Sequence, residues 1–146
     1  MKRLICFFAA ALFSVTVLSA QDYNWAVGVR GGGEMSGLSV KHKFNASSAI
    51  EGILSMPYSS GFVVTGIYER HIPVIDDGFN FYYGAGAHVG KWRHRFALGA
   101  DGIIGLEYIL PTIPLGFSVD YKPVFNIIEK TKFYFLDFAL GVKVLF

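Results

Sequence analysis

The chain has 146 residues, of which 53% are apolar, 16% aromatic and 16% charged, and its formal net charge at pH 7 is +2. A soluble domain ordinarily carries about 25% charged residues, so this composition speaks against an ordinary soluble domain, while the near-zero charge leaves no basic surface for nucleic acid. The length suffices for one domain.

Residues 1–20 read as a secretory signal peptide, with Lys2 and Arg3 as a positive start, an apolar run from Leu4 to Leu18 broken by Ser14 and Thr16, and Ser19-Ala20 before Gln21-Asp22. The run is short for a membrane anchor and its flanks are wrong for a stop-transfer helix. Cys6, the only cysteine, precedes the apolar run rather than following it, so it does not read as a lipid-modified residue and leaves with the signal. The exported part, residues 21–146, then has no thiol for a disulfide framework or a cysteine-ligated metal. Without Lys2 and Arg3 its positive and negative charges are equal in number. No stretch within it reaches the ~18 uninterrupted apolar residues of a spanning helix. For so apolar an exported chain, a closed β-barrel is the remaining way to satisfy the backbone in lipid.

Period-two alternation runs through the chain in order. Trp25 to Gly32 sets Trp25, Val27 and Val29 against Ala26, Gly28, Arg30 and Gly32, and Gly33–Gly37 reads as a turn. Leu38 to Phe44 sets Leu38, Val40, His42 and Phe44 against Ser39, Lys41 and Lys43, with a turn at Asn45–Ser48. Ala49 to Met56 has Ile50, Leu54 and Met56 opposite Glu51, and these second and third segments are short enough to merge. Phe62 to His71 sets Phe62, Val64 and Tyr68 against Thr65 and Glu69, followed by a turn from Pro73 to Gly78. Phe79 to Gly90 sets Phe79, Phe81, Tyr83, Ala85, Ala87 and Val89 against Asn80, Tyr82, Gly84, Gly86, His88 and Gly90, and Lys91–His94 is a polar turn. Arg95 to Tyr108 and Leu115 to Asn126 repeat the pattern, the latter with Pro123, where a bulge or early strand end is expected because proline cannot donate to the ladder. The final segment from Lys132 has Tyr134, Leu136, Phe138, Leu140, Val142, Val144 and Phe146 on one face, with Phe135, Asp137, Ala139, Gly141, Lys143 and Leu145 on the other. Eight segments with turns every 10–18 residues or so fit an eight-stranded antiparallel up-and-down transmembrane β-barrel over residues 21–146.

Alternation alone does not choose between such a barrel and a soluble, lipocalin-like barrel carrying an apolar ligand. Three features favour polar-inside. The charged face is also the glycine face (Gly28, Gly84, Gly86, Gly90, Gly99, Gly105, Gly116 and Gly141 among others), and a cramped eight-stranded interior has reason to lose side chains. Its charges balance, with Arg30, Lys41, Lys43, Arg95, Lys122 and Lys143 against Glu51, Glu69, Asp101, Glu107, Asp120 and Asp137, as an enclosed network requires. Aromatics gather near segment ends on the apolar face, Trp25, Tyr68, Phe79, Tyr108 and Tyr134 forming candidate interfacial girdles.

The segments Tyr82-Tyr-Gly-Ala-Gly-Ala-His-Val-Gly90, Gly102-Ile-Ile-Gly-Leu-Glu-Tyr108 and Pro114-Leu-Gly-Phe-Ser-Val-Asp-Tyr-Lys-Pro123 resemble the small OmpA-type and OmpX-type outer-membrane barrels, in a version seen in Bacteroidota. The resemblance covers nearly all of residues 24–146, and its motifs are barrel strands rather than a site. It implies location in the bacterial outer membrane, both termini on the periplasmic side, outer-membrane lipid as surroundings and no cofactor. The closing row Phe138, Leu140, Val142, Val144 and Phe146 resembles the signal read by the outer-membrane insertion machinery. Connections on both sides look shorter than the group's usual extracellular loops, and no peptidoglycan-binding domain is expected after the barrel.

Signals for chemistry are weak. Gly84-Ala-Gly-Ala-His-Val-Gly90 lacks the spacing and following helix of a dinucleotide loop. His42, His71, His88 and His94 are scattered without a helical pair, so no metal site is expected, and His88 reads as a hydrogen-bonding member of the charged network. Asp101, Glu107 and Asp120 have cationic neighbours on their own face and read as an ion-pair network rather than acid/base groups. Asn45-Ala-Ser47 fits a glycosylation sequon that carries little meaning in a bacterial envelope. The outer face shows no His-x-Ser pairing of a lipid-modifying enzyme. The expected role is structural or surface interaction without catalysis, by a barrel whose lumen is filled by side chains. The surface ligand is left open, with a lipocalin-like carrier or a narrow channel as alternatives.

Overall fold

The computed structural model describes residues 24–33, 35–58, 60–75, 79–92, 94–110, 112–127, 132–134 and 138–146. The expected signal peptide, residues 1–20, lies outside them. Ten strands are present among the described residues: β1 (Trp25–Gly32), β2 (Met35–Asn45), β3 (Ser48–Pro57), β4 (Gly61–Ile75), β5 (Phe79–Trp92), β6 (Arg95–Ile109), β7 (Leu115–Tyr121), β8 (Val124–Asn126), β9 (Lys132–Tyr134) and β10 (Phe138–Leu145). Each pairs antiparallel with its neighbour, and β1 pairs with β10, so the sheet closes on itself. The seam runs from Ala26↔Leu145 to Gly32↔Ala139, finished at the termini by Trp25 N–H to the Phe146 carbonyl (2.9 Å) and Phe146 N–H to the Trp25 carbonyl (2.8 Å).

The ten strands make eight staves. β7 and β8 are one stave against β6: Ile104↔Tyr121 and Asp101↔Val124 keep a single register across the Lys122-Pro123 break. Pro123 has no N–H, yet its carbonyl still accepts from Gly102 N–H at 3.0 Å, so the ladder is interrupted without slipping. β9 pairs with β8 and β10 with β7, making the eighth stave. The second and third segments are separate strands, joined at Ala46-Ser47.

Parts of two expected turns, Gly33–Gly37 and Pro73–Gly78, are strand. β2 starts at Met35, which pairs with Pro57, and β4 continues to Ile75, with Pro73 opposite Asn80. β3 begins only at Ser48, opposite Arg70, so among the described residues no strand pairs with the last part of β4 on that side, where proline is tolerated. Lys91 and Trp92 likewise belong to β5, and the described part of the connection to β6 is His94. His94 has φ of 63°, in the left-handed region that a two-residue hairpin demands.

Burial alternates with period two. In β3, Ala49, Glu51, Ile53 and Ser55 are buried while Ile50, Gly52, Leu54 and Met56 are exposed. The same alternation in β6 and β10 puts Gly99, Asp101, Gly105, Glu107, Gly141 and Lys143 inside and Leu98, Ile104, Leu106, Phe138, Leu140 and Val142 outside.

Candidate functional site: the barrel interior

Inward positions of all eight staves contribute buried polar groups to the interior. Arg30 on β1 forks onto Asp120 on β7, with Nη2 2.5 Å and Nε 3.2 Å from Oδ1. The Tyr82 hydroxyl on β5 donates to the other oxygen of that carboxylate at 3.2 Å. Lys41 on β2 has its ammonium among three carboxylates: Glu69 at 2.9 Å, and Glu51 and Glu107 each at 3.5 Å. It also lies 4.5 Å from the centroid of the Tyr82 ring, a cation–π distance that joins the two groups. Lys143 on β10 donates to Glu51 at 2.5 Å. His71 on β4 places Nε2 3.0 Å from Glu69 and stacks on Tyr82 with centroids 5.3 Å apart. A third group lies on β5, β6 and the β7–β8 stave: His88 Nδ1 is 2.5 Å from Asp101, His88 Nε2 is 2.6 Å from the Asn126 side-chain oxygen, and Lys122, in the break between β7 and β8, is 3.6 Å from Asp101.

These contacts join residues up to 92 positions apart, so only barrel closure brings them together. Enclosure explains the pairing: an ion taken from water without a partner costs several kcal/mol. Arg30, Lys41, Glu51, Glu69, Asp101, Glu107, Asp120, Lys122 and Lys143 are all buried, with Lys41 and Glu69 fully so. Lys43 is half-buried on the same side.

Arg95 is a correction. Its parity points inward, but it is exposed in the first pair after the β5–β6 turn, opposite Trp92, where the wall ends and the interior opens. Asp137 lies outside the described residues.

Sequence reasoning missed His71, although its spacing of two from Glu69 put it on the inner face. It also missed Asn126 as the His88 partner, since that contact depends on the stagger of β8 beside β6.

The inner glycines do more than relieve crowding. Gly105 stands opposite Tyr82, and a Cβ there would lie 2.5 Å from Tyr82 Cζ and 2.9 Å from Asp120 Cβ. Gly99 stands opposite His88, whose Cε1 would be 2.8 Å from an added Cβ. Each glycine is the floor on which an inward aromatic side chain lies, the pairing known as aromatic rescue. Apolar groups complete the interior. Ala26, Ile109 and Leu145 cluster toward the termini, Ile53, Ile67, Tyr82 and Ile103 form a second group, and Met35 with Ala97 a third. Among the described residues no group of three or more His, Cys, Asp or Glu is arranged to hold a metal.

The outer wall is the reverse. Val29, Leu38, Ile104, Val119, Phe138 and Leu140 are all more than half exposed, Leu140 at 66%. Phe138, Leu140, Val142 and Phe146 of the closing row are exposed and Val144 half so. Trp25, Tyr68 and Phe79 are exposed and Tyr108 half so, all toward the rim that holds the termini. Trp25 packs on His42 at 4.2 Å between centroids and Phe79 on Tyr108 at 4.5 Å. At the opposite rim the outward rings include Phe62, Phe96 and Phe125, together with Tyr58, whose hydroxyl donates to the Gly32 carbonyl at 2.9 Å. Tyr134 belongs to β9, and its side chain lies outside the described residues. Ions within and large apolar side chains without are opposite to the arrangement that a carrier of apolar ligands needs.

This wall and interior define the fold of the small eight-stranded outer-membrane β-barrels. The structure is similar to the crystal structure of the N-terminal β-barrel domain of Pseudomonas aeruginosa OprF, with TM-score 0.70 and 14% identity over 85% of this chain and 98% of that one. It is also similar to a de novo designed transmembrane β-barrel, with TM-score 0.64 and 13% identity over 84% of this chain and 94% of that one. At these identities the likeness is one of fold. No protein-family model matches the sequence, and no curated protein matches it significantly.

Proposed function

We propose that the chain is exported by residues 1–20 and that residues 21–146 form an integral barrel of the bacterial outer membrane. Its role in this reading is structural or surface interaction, without catalysis. The observation that carries it is the polarity of the wall: a closed sheet with large apolar side chains outward and matched ions inward. Such a surface suits hydrocarbon, because every backbone group of a closed barrel is paired within the sheet. The termini face the periplasm, and the outward row from Phe138 to Phe146 is what the insertion machinery reads. An eight-stranded interior is only just wide enough for side chains, and here the ion pairs and apolar clusters occupy it.

Cell fractionation with heat-modifiable gel mobility tests this. The protein is expected in the outer-membrane fraction, running differently before and after boiling; recovery from the aqueous periplasmic fraction without detergent would overturn the reading. Planar-bilayer recordings are expected to show no large stable conductance, and such a conductance would establish a channel instead.

A further inference from the structure

The charged side chains in outward register on the apolar wall include Lys91 on β5, opposite Phe62 and Phe96 at the far rim, and Arg70 on β4. Arg70 on β4 points outward between Tyr68 and Ile72, is exposed, and among the described residues has no carboxylate partner. It stands opposite Ser48 on one side and Tyr83 on the other, both in outward register. The Ser48 hydroxyl is a hub, accepting from the Tyr68 hydroxyl at 3.1 Å and from Arg70 Nη1 at 3.4 Å. Ser48, Tyr68 and Arg70 thus form one polar group, with the Tyr83 ring opposite Arg70 in register, beside the outward Ile50, Leu54, Val64 and Ile72.

Its height on the barrel gives it meaning. Ser48 is the first residue of β3, directly after the Ala46-Ser47 turn, and the Ser47 carbonyl accepts from His71 N–H at 2.8 Å. Arg70 is therefore level with the end of the β2–β3 hairpin, on the side of the barrel that holds the termini, with β4 and β5 continuing past it to Ile75 and Phe79, while Ile50 and Ile72 are exposed beside it. A guanidinium there, oriented by a hydroxyl and unmatched by a carboxylate, is complementary to a phosphate.

We propose that Arg70, held by the buried Ser48 hydroxyl beside Tyr68, binds the phosphate of an anionic glycerophospholipid in the leaflet nearest the termini. The acyl chains lie against the apolar wall toward Leu54 and Val64, and the Tyr83 ring flanks the headgroup. Interior cations are spoken for: Arg30, Lys41, Lys122 and Lys143 each face a carboxylate. This site rests on the membrane reading proposed above.

The test uses the full chain folded in maltoside micelles, which carry no phosphate. Short-chain phosphatidylglycerol, a diacylglycerol of equal chain length and inorganic phosphate are titrated in parallel and bound lipid is read by native mass spectrometry. Saturable one-to-one binding of phosphatidylglycerol is expected, weakened at least about fivefold in Arg70→Gln, partly restored in Arg70→Lys and reduced in Tyr68→Phe. The diacylglycerol is expected to bind more weakly, and inorganic phosphate not at all at the same concentrations. Equal affinity of wild type and Arg70→Gln, or of phosphatidylglycerol and diacylglycerol, would overturn the site. Gel mobility of the same samples separates the two readings. A folded, heat-modifiable barrel without Arg70-dependent binding removes the lipid site alone, whereas a wild type that stays soluble without detergent removes both.

Discussion

Arg30 and Asp120 show what enclosure does to a single residue. Both are buried and forked together, so removing one leaves the other charged in a low-dielectric interior. Arg30→Leu or Asp120→Leu alone is predicted to cost about 3–5 kcal/mol, and the double variant less than the sum of the two. Denaturant titration of the three variants in one detergent checks this; additive losses would mean that the pair is not enclosed. Arg95→Leu, by contrast, is predicted to shift stability by no more than about 0.5 kcal/mol, because that side chain lies exposed at the rim. Parity told that Arg95 shares a face with Glu107, but parity is blind to depth along the barrel. Gly105→Ala is predicted to cost about 1–3 kcal/mol by driving Tyr82 off its floor and away from Asp120. A comparable Ala substitution at Gly66, which has open space around it, is the control in the same titration. His94→Gly is predicted to gain about 1 kcal/mol, since its φ of 63° strains a side chain but not a glycine.

At the scale of the strand, most of the architecture was legible. A period of two survives in every stave, because lipid-facing and inward-facing demands differ so sharply that each residue has to choose. What stayed hidden were features set by neighbouring strands. Pro73 reads as a turn residue in isolation, and it is strand because β3 stops short and, among the described residues, no strand pairs with that part of β4 on that side. Pro123 reads as an interruption and is one, yet the register of β8 against β6 continues from that of β7. The ion-pair partners were equally invisible one strand at a time. Glu51 meets Lys143 only because β1, β2 and β10 close the wall between them. The closing strand carries its own prediction. Phe146 is exposed on the outer row and its backbone is paired with Trp25, so Phe146→Asp places a charge on the seam without removing a backbone bond. The variant is expected to be exported but poorly assembled, seen as a loss of heat-modifiable protein in the outer-membrane fraction; a normal yield would remove the role proposed for that row.

For the whole molecule, one property governs the rest: the sheet is turned inside out relative to a soluble barrel. Closure pairs the first strand with the last, matched ions and glycine-seated rings occupy the interior, and large apolar side chains cover the exterior. Spin labels in reconstituted vesicles test this polarity directly, in a Cys6→Ser background with the label at Val119→Cys on the outer wall or Ile113→Cys in the β6–β7 connection. The account predicts that the label at 119 is reached by oxygen and shielded from a water-soluble nickel relaxant, while that at 113 shows the opposite preference. Free access of the nickel reagent to position 119 would contradict the account.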